Sequence, residues 1–159
     1  MISLDIEIEA GDWSGITGVE WLARRAAEAA LAAAGRPAEE DLEATLLLTD
    51  DASVQELNRR WRGQDKPTNV LSFPADMATP PGEPRALGDI ALAYETLARE
   101  AETEGKSLPN HMAHLVVHGV LHLLGHDHED DAEAEDMERA EIAALAALGI
   151  ADPYREISG

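Results

Sequence analysis

The sequence predicts a single α+β domain, with a mixed sheet of about four strands covered by about five helices. The length of 159 residues is enough for one domain to bury a core. Apolar residues recur with the two-residue period of strands in some stretches and with helical spacing in others, which predicts the element order β-α-β-α-β-β-α-α-α. Because no repeat and no linker-like stretch interrupts this order, residues 1–159 are expected to form one domain.

The first half of the chain is predicted to alternate strands and helices. Isoleucine and leucine alternate with polar residues over residues 2–8, which is typical of a half-buried strand. Thr17 and Glu20 have the spacing of a capping box, which would open an alanine-rich helix that ends near Gly35. The continuously apolar run at residues 44–49 predicts an interior strand.

A second helix is expected after this strand. Asp50, Asp51 and Ser53 each offer a side chain that can cap its first turn. Trp61 follows Leu57 at helical spacing, so we expect its ring to pack in the core, although an indole can also stack on a nucleobase.

Two further strands flank a proline-rich segment. Residues 70–73 are predicted to form a strand that ends at Pro74. Four of the eight prolines lie within residues 74–86, which predicts a loop. Residues 87–92 return as a strand, and a helix is expected to follow as far as about Glu104.

The chain is predicted to close with two helices. Ser107 can cap the first of them, and Gly125 is expected to end it in a left-handed conformation. Asp130 or Asp131 can cap the last helix, which would run to Gly149 with a charged outer face.

Composition excludes several classes of protein. The chain has no cysteine, which rules out disulfides, thiolate nucleophiles and cysteine-based zinc sites. The N-terminus lacks the features of a signal peptide and no uncharged apolar run approaches the roughly 20 residues of a membrane helix, so a soluble, cytoplasmic protein is expected. The formal net charge is 12 − 32 = −20, which by itself argues against a nucleic-acid partner, although screening lets a local basic patch act independently.

All six histidines lie in one stretch, at positions 111, 114, 118, 122, 126 and 128. The residues between them are mostly apolar, so the stretch predicts a helix that is buried on most of its circumference. Because an unpaired imidazole is costly to bury, several of them on one such helix need compensation, and a metal ion would supply it.

His118 and His122 are four residues apart, which places both imidazoles on one helix face at the spacing that two zinc ligands need. His114 and His122 would lie about 12 Å apart along a continuous helix, too far to share one ion through zinc–nitrogen bonds of about 2 Å. If the chain turns back after the helix, His126 or His128 can supply a third ligand, and the spacing leaves that choice open.

Two long motifs resemble those of a known family. Residues 118–128 read HGVLHLLGHDH, and residues 57–74 read LNRRWRGQDKPTNVLSFP. Both are similar to signatures of the YbeY family, bacterial zinc-dependent endoribonucleases that take part in ribosomal RNA maturation. Shorter similarities at residues 87–90 and 152–154 extend the resemblance over most of the chain.

The resemblance implies which histidines bind the metal. The family's ligands fall on His118, His122 and His128, with one zinc ion per chain, whereas His126 stands where many members have tyrosine. Two histidines are left with the ordinary role of packed or hydrogen-bonded core residues, namely His111 and His114.

Three neutral imidazoles would leave the charge of a zinc ion uncompensated and one coordination position open. Such an ion can bring the pKa of a bound water to about 7. Peptidases of the H-E-x-x-H type carry a glutamate base directly after the first histidine, where this chain has Gly119, which counts against peptide hydrolysis. Asp127 is either a group that orients a ligand imidazole or an ordinary turn residue.

Basic residues also gather in one place. Arg59, Arg60, Arg62 and Lys66 lie within eight residues with Asp65 as the only acid, a local balance of 4 − 1 = +3. Arg59 and Arg60 are interpreted as solvated helix residues. Arg62 lies in the family motif at a position regarded as catalytically important, and its guanidinium could bind a phosphate bidentately and stabilise the charge of the transition state.

The sequence therefore predicts a zinc-dependent endoribonuclease that acts on single-stranded RNA, with His118 and Arg62 as catalytic residues. The resemblance implies ribosomal RNA precursors as the substrate, notably the 3′ end of the small-subunit RNA, and a role in ribosome quality control. It also implies contact with the small ribosomal subunit, a small-subunit ribosomal protein and an Era-type GTPase, whereas neither DNA nor a membrane is expected. The alternatives are another zinc hydrolase, acting on peptides or small molecules, and a non-catalytic, zinc-stabilised assembly factor.

Overall fold

The computed structural model describes residues 2–36, 40–64, 68–75, 83–125 and 130–152. Within these ranges the chain forms four β-strands and five α-helices in the predicted order, together with a short 3-10 helix that the sequence did not predict. In chain order the elements are β1 (Ile2–Ile8), the 3-10 helix (Trp13–Gly15), α1 (Val19–Ala33), β2 (Leu42–Thr49), α2 (Asp51–Arg62), β3 (Val70–Pro74), β4 (Arg85–Ala93), α3 (Tyr94–Glu104), α4 (Leu108–Leu123) and α5 (Asp131–Ala147).

The four strands form one mixed sheet in the order β1-β2-β4-β3. β2 pairs in parallel with both β1 and β4, and β3 is antiparallel to β4. Parallel neighbours need a crossover connection, which α1 provides between β1 and β2. β2 and β4 both begin two residues earlier than predicted because Leu42 and Glu43 pair with Arg85 and Ala86. The predicted α+β fold with a mixed sheet of four strands and five helices is confirmed.

The two faces of the sheet carry different helices. Leu46 and Ile90 point into the main core, which α1 and α4 cover. The next residue of β4, Ala91, points to the opposite face, where Val54 of α2 packs against it. Helices α2 and α4 therefore lie on opposite faces of the sheet. On the α2 side, the part of the face formed by β1 and β2 lines an open groove of about 1260 Å³.

Helix α4 packs against β3 and β4 of the sheet and also contacts α1, α3 and α5. Its N-terminus is capped as predicted, since the Ser107 hydroxyl accepts a hydrogen bond from the Asn110 backbone N–H at 3.2 Å. Its end is also as predicted, because Gly125 adopts a left-handed φ of 99°. Among the helices in the described ranges, none is long and apolar enough to cross a bilayer.

The predicted capping box at the start of α1 is wrong. The helix begins at Val19, and its N-cap is Gly18, which has a left-handed φ of 66°. No side chain among the described residues caps this end. The chain thus enters the helix through a turn at Gly18, whose left-handed backbone favours glycine.

The prediction that Trp61 packs in the core is also wrong. The residue is 69% exposed at the end of α2. The buried row of this helix runs through Val54 and Asn58, so the row of Leu57 and Trp61 lies to one side of it and lines the open groove. Helical spacing alone placed Trp61 on an apolar face but did not show how far the sheet extends beneath it.

The N-cap of α2 gives a test of the fold. The Asp50 carboxylate accepts a hydrogen bond from the Ser53 backbone N–H at 2.9 Å, and this bond holds the pKa of Asp50 below its ordinary value of 3.8. We expect Asp50→Ala to lower the free energy of unfolding by about 1 kcal/mol at neutral pH. A depressed pKa stabilises the folded state above pH 3.8, and the contribution is lost as the pH falls through the lowered value. Urea unfolding of both proteins along a pH series measures this difference.

The matched control for this test is Asp50→Asn, because asparagine caps helices well but does not titrate in this range. The difference in unfolding free energy between Asp50→Asn and the wild type should be close to zero at neutral pH. The helix cap of the variant should persist in acid. Equal stability of Asp50→Ala and wild type at neutral pH would contradict the assignment of Asp50 as the cap.

Candidate functional site

His118 and His122 lie side by side on α4, as their spacing predicted. Their ring centroids are 5.0 Å apart and the rings meet edge to face at 69°. Between residues 111 and 123, the partly exposed positions of α4 are His114, His118 and His122, while every other position is buried. The two predicted ligands therefore stand on the one row of the helix that solvent reaches.

A buried carboxylate of α5 contacts this row of histidines from the interior of the protein. Glu141 is 0% exposed, and its Oε1 lies 2.6 Å from Nδ1 of His118. Its Oε2 lies 3.6 Å from Nε2 of His114. An ionised carboxylate only accepts hydrogen bonds, so this contact fits the tautomer of His118 that has hydrogen on Nδ1 and the lone pair on Nε2.

Glu141 was not predicted from the sequence. The residue considered there was Asp127, either as a group that orients a ligand imidazole or as an ordinary turn residue, and Asp127 lies outside the described residues. A signal for Glu141 is nevertheless present in the sequence, since it is an acid on the apolar stripe of α5, four residues from both Met137 and Leu145. A buried acid on such a stripe needs a partner, but the sequence does not say which helix supplies it.

His111 belongs to a different cluster at the other end of α4. Its Nε2 lies 2.9 Å from Oε1 of Glu100, which also accepts a hydrogen bond of 2.9 Å from the side-chain amide of Asn69. Possible ligand atoms of Glu100 and Glu104 on α3 and of His111 on α4 lie within 4.8 Å of one another, so this cluster is one possible metal-binding group. Its carboxylates already have partners, with Lys106 bonded to Glu104 at 3.1 Å. The interpretation of His111 as a hydrogen-bonded core residue is confirmed.

Gly119 is explained by packing. A Cβ added at this position would lie 2.9 Å from Cγ2 of Ile90, a fully buried side chain of β4. The hydroxyl of Ser72 on β3 also donates to the Gly119 carbonyl at 3.4 Å. Helix α4 therefore approaches the sheet so closely that even a methyl group at position 119 would force Ile90 or the helix to shift, and the larger glutamate base of an H-E-x-x-H peptidase would be strongly disfavoured there.

The arginines of the basic cluster differ in their partners. Arg59 makes an ion pair with Glu56 at 2.6 Å, and Arg60 lies 4.0 Å from the same carboxylate. Both are exposed, which confirms their interpretation as solvated helix residues. Arg62 is the last residue of α2, is exposed, and has no hydrogen-bond or ion-pair partner in the part of the chain that the structure describes. Lys66 lies outside the described residues.

The structure brings together some of the predicted site residues but not all of them. His118 and His122 are adjacent on α4, whereas Arg62 ends α2 on the opposite face of the sheet. No hydrogen bond or ion pair within the described ranges joins Arg62 to either histidine. His126 and His128 lie outside those ranges, so the third predicted ligand has no described position.

The groove on the α2 side of the sheet combines an aromatic ring with an acidic wall. The exposed indole of Trp61 forms part of its lining, together with Leu57 and Phe73. The lining also includes five acidic residues, namely Asp5, Glu7, Glu9, Glu43 and Asp89. Such a wall repels phosphates, so a polyanion would be favoured only near Trp61, which Arg62 follows in sequence.

The close approach at Gly119 can be tested by substitution. Gly119→Ala should lower the free energy of unfolding by about 1–3 kcal/mol, because the new methyl group overpacks the core against Ile90. The helix propensity of alanine offsets this by at most about 1 kcal/mol. Thermal or urea unfolding measures the result.

Gly15→Ala is the control for this prediction, since nothing lies within 4 Å of the Cβ position of Gly15. We expect that variant to unfold like the wild type. A Gly119→Ala protein that is as stable as the wild type would show that α4 can move away from β4 at little cost.

Comparison with known proteins finds one family. The sequence profile of the family described as Endoribonuclease YbeY matches residues 14–149. The chain is 53% identical to Endoribonuclease YbeY of Chelativorans sp. (strain BNC1), over 96% of this chain and 93% of that protein. It is 56% identical to Endoribonuclease YbeY of Erythrobacter litoralis (strain HTCC2594), over 96% of this chain and 98% of that protein.

A solved structure also has a similar fold. The solution structure of TM1509 from Thermotoga maritima aligns over 99% of both chains with a TM-score of 0.56. The sequence identity is 23%, so this similarity bears on the fold alone.

Proposed function

The chain belongs to the YbeY family of endoribonucleases, and on that premise we propose that it is a zinc-dependent endoribonuclease that cleaves single-stranded RNA. The observation that carries the proposal is the adjacent pair His118 and His122, on the solvent-reached row of an otherwise buried helix. Such a pair suits a metal that must be held firmly by the protein and still be open to a substrate.

The donor set fits one zinc ion per chain. His118 and His122 offer neutral imidazoles at ligand spacing, and the hydrogen bond from Nδ1 of His118 to Glu141 leaves Nε2 as its basic nitrogen. The third ligand in this proposal is His128, on the family motif alone. When bound, a divalent ion would supply Lewis-acid chemistry at a phosphodiester.

In this proposal Arg62 binds the phosphate of the substrate. Its exposed guanidinium has no carboxylate partner among the described residues, so it can offer two parallel N–H donors to phosphate oxygens. The same donors would stabilise the charge that develops as the phosphodiester is cleaved. Because α2 and α4 lie on opposite faces, a strand of RNA that reaches both Arg62 and His118 has to pass around the sheet, and β3 is the edge strand that both helices contact.

The biological substrate and partners are proposed from family membership. The substrate would be a ribosomal RNA precursor, notably at the 3′ end of the small-subunit RNA, as part of ribosome maturation and quality control. Contact with the small ribosomal subunit, one of its proteins and an Era-type GTPase would follow from that role, in the cytoplasm and without DNA or membrane partners. One YbeY-like domain would extend over residues 1–159.

The proposed roles of His122 and Arg62 predict different losses. His122→Ala should bind zinc at least about 100-fold more weakly, because it removes a ligand, and should lose cleavage of single-stranded RNA with it. Arg62→Ala should bind zinc like the wild type but cleave about 100- to 1000-fold more slowly, because it removes only the phosphate contact. Metal analysis and RNA cleavage of the purified proteins, measured side by side, separate the two effects.

Arg60→Ala is the matched control, since Arg60 is exposed on the same helix and is associated with Glu56. It should behave like the wild type in both measurements. Zinc-dependent hydrolysis of casein or small esters without action on RNA would instead favour another metallohydrolase. Wild-type protein that never cleaves RNA, with Arg62→Ala weakening its association with ribosomal particles, would favour a non-catalytic assembly factor.

The exposed indole of Trp61 gives a second test of RNA as the substrate. We expect Trp61 to stack on a base, so Trp61→Ala should weaken the binding of a single-stranded RNA oligonucleotide by roughly 1–3 kcal/mol. Titration followed by fluorescence anisotropy at fixed salt measures the loss.

Trp21→Ala is the control for Trp61→Ala, because Trp21 is 65% exposed on α1, away from the groove. RNA binding that is unchanged in Trp61→Ala, or equally weakened in both variants, would remove Trp61 from the RNA-binding surface.

A further inference from the structure

Glu141 is a buried acidic residue that the proposed reaction does not by itself require. The residue is 0% exposed on α5, and its two carboxylate oxygens lie 2.6 Å and 3.6 Å from imidazole nitrogens of α4. A lone carboxylate at this depth would be strongly destabilising, so its partners must compensate it. We propose that Glu141 is a positioning residue, which fixes the ring orientation and tautomer of His118 so that Nε2 faces the metal.

The inference rests on the proposed function, since it takes His118 to be a metal ligand. Its geometric basis is the distance of 2.6 Å between Oε1 of Glu141 and Nδ1 of His118. This short distance is typical of a charge-assisted hydrogen bond, and a flip of the His118 ring would break it. The bond therefore selects the tautomer with hydrogen on Nδ1 and makes Nε2 the nitrogen available for coordination.

A second imidazole of α4 lies near the other oxygen of Glu141. Oε2 lies 3.6 Å from Nε2 of His114, one turn before His118 on the same row, a distance beyond that of a direct hydrogen bond. The 2.6 Å contact with His118 is therefore the shorter of the two contacts between the Glu141 carboxylate and these imidazoles. His114 acquires a role in this arrangement as a neighbour of the site and not as a ligand.

The arrangement also couples the site to the docking of α5. Ala140, Ala144 and Leu145, on either side of Glu141, are buried in the main core, so the carboxylate cannot move without displacing that packing. An anion held next to a ligand imidazole raises the basicity of that ligand and favours the binding of a cation. Partners of this kind typically contribute 10- to 100-fold to metal affinity, by order of magnitude.

The test uses Glu141→Leu, which replaces the carboxylate by an apolar side chain of similar size. In the metal-free protein, two-dimensional ¹H–¹⁵N NMR of the imidazoles reports which nitrogen of His118 carries hydrogen. Competition with a chromophoric chelator reports the zinc Kd. We expect Glu141→Leu to lose the Nδ1–H preference and to raise the zinc Kd about 10- to 100-fold, while the protein still unfolds cooperatively.

Glu141→Gln is the second variant. Its amide oxygen can still accept from Nδ1, so the tautomer should be retained, but the charge is gone and the zinc Kd should rise less than in Glu141→Leu. Should Glu141→Leu fail to fold, this variant decides the question by its zinc Kd. Glu138→Gln is the matched control, because Glu138 is exposed on the same helix, and both measurements should match the wild type.

A wild-type tautomer and a wild-type zinc Kd in Glu141→Leu would overturn the inference, as would a wild-type zinc Kd in Glu141→Gln if that is the variant that folds. Glu141 would then have a purely structural role, and its substitution would change only the melting temperature. Failure of the proposed function looks different. A wild-type protein that binds no zinc, or binds zinc without cleaving RNA, overturns the proposed nuclease, whereas the tautomer measured in metal-free protein tests the Glu141 contact separately.

Discussion

Helix α4 is buried on most of its surface, and each imidazole that it carries into the interior has to be compensated there. His111 meets Glu100 of α3, and His118 meets Glu141 of α5. These two contacts connect α4 to α3 and to α5, in addition to the apolar packing of α4 against the sheet. The imidazoles of α4 therefore contribute to the arrangement of α3, α4 and α5 and to the choice of the helix face that is exposed to solvent.

The same burial decides what chemistry the site can support. Gly119 allows α4 to approach Ile90 of β4 so closely that even a methyl group between them would require a shift. A glutamate base next to His118 is therefore opposed by the packing of the core, in addition to being absent from the sequence. The carboxylate that does lie near His118 comes from α5 and accepts a hydrogen bond from Nδ1, which suits the orientation of a ligand more than the activation of a nucleophile.

Charge is distributed unevenly over this acidic protein. With a net charge of −20, the chain would repel a polyanion at most of its surface, and five carboxylates line the groove on the α2 side of the sheet. Arg62 is exposed at the end of α2, directly after the groove residue Trp61, and has no carboxylate partner among the described residues. Repulsion of RNA phosphates is weakest near Arg62 and the exposed ring of Trp61. This restricts the approach of a strand of RNA to a smaller part of the surface than a generally basic protein would allow.

The order of the elements, the cap at Ser107, the end of α4 at Gly125 and the pairing of His118 with His122 were all predictable from the sequence. Each depends on residues a few positions apart, where periodicity and backbone preference act directly. The tertiary structure alone decided that Glu141 meets His118, that Trp61 lies outside the core, and that Arg62 and the histidines lie on opposite faces of the sheet. These features depend on which segments pack together over 20 or more residues of separation, as Glu141 and His118 do at 23, and local spacing carries no information about that choice.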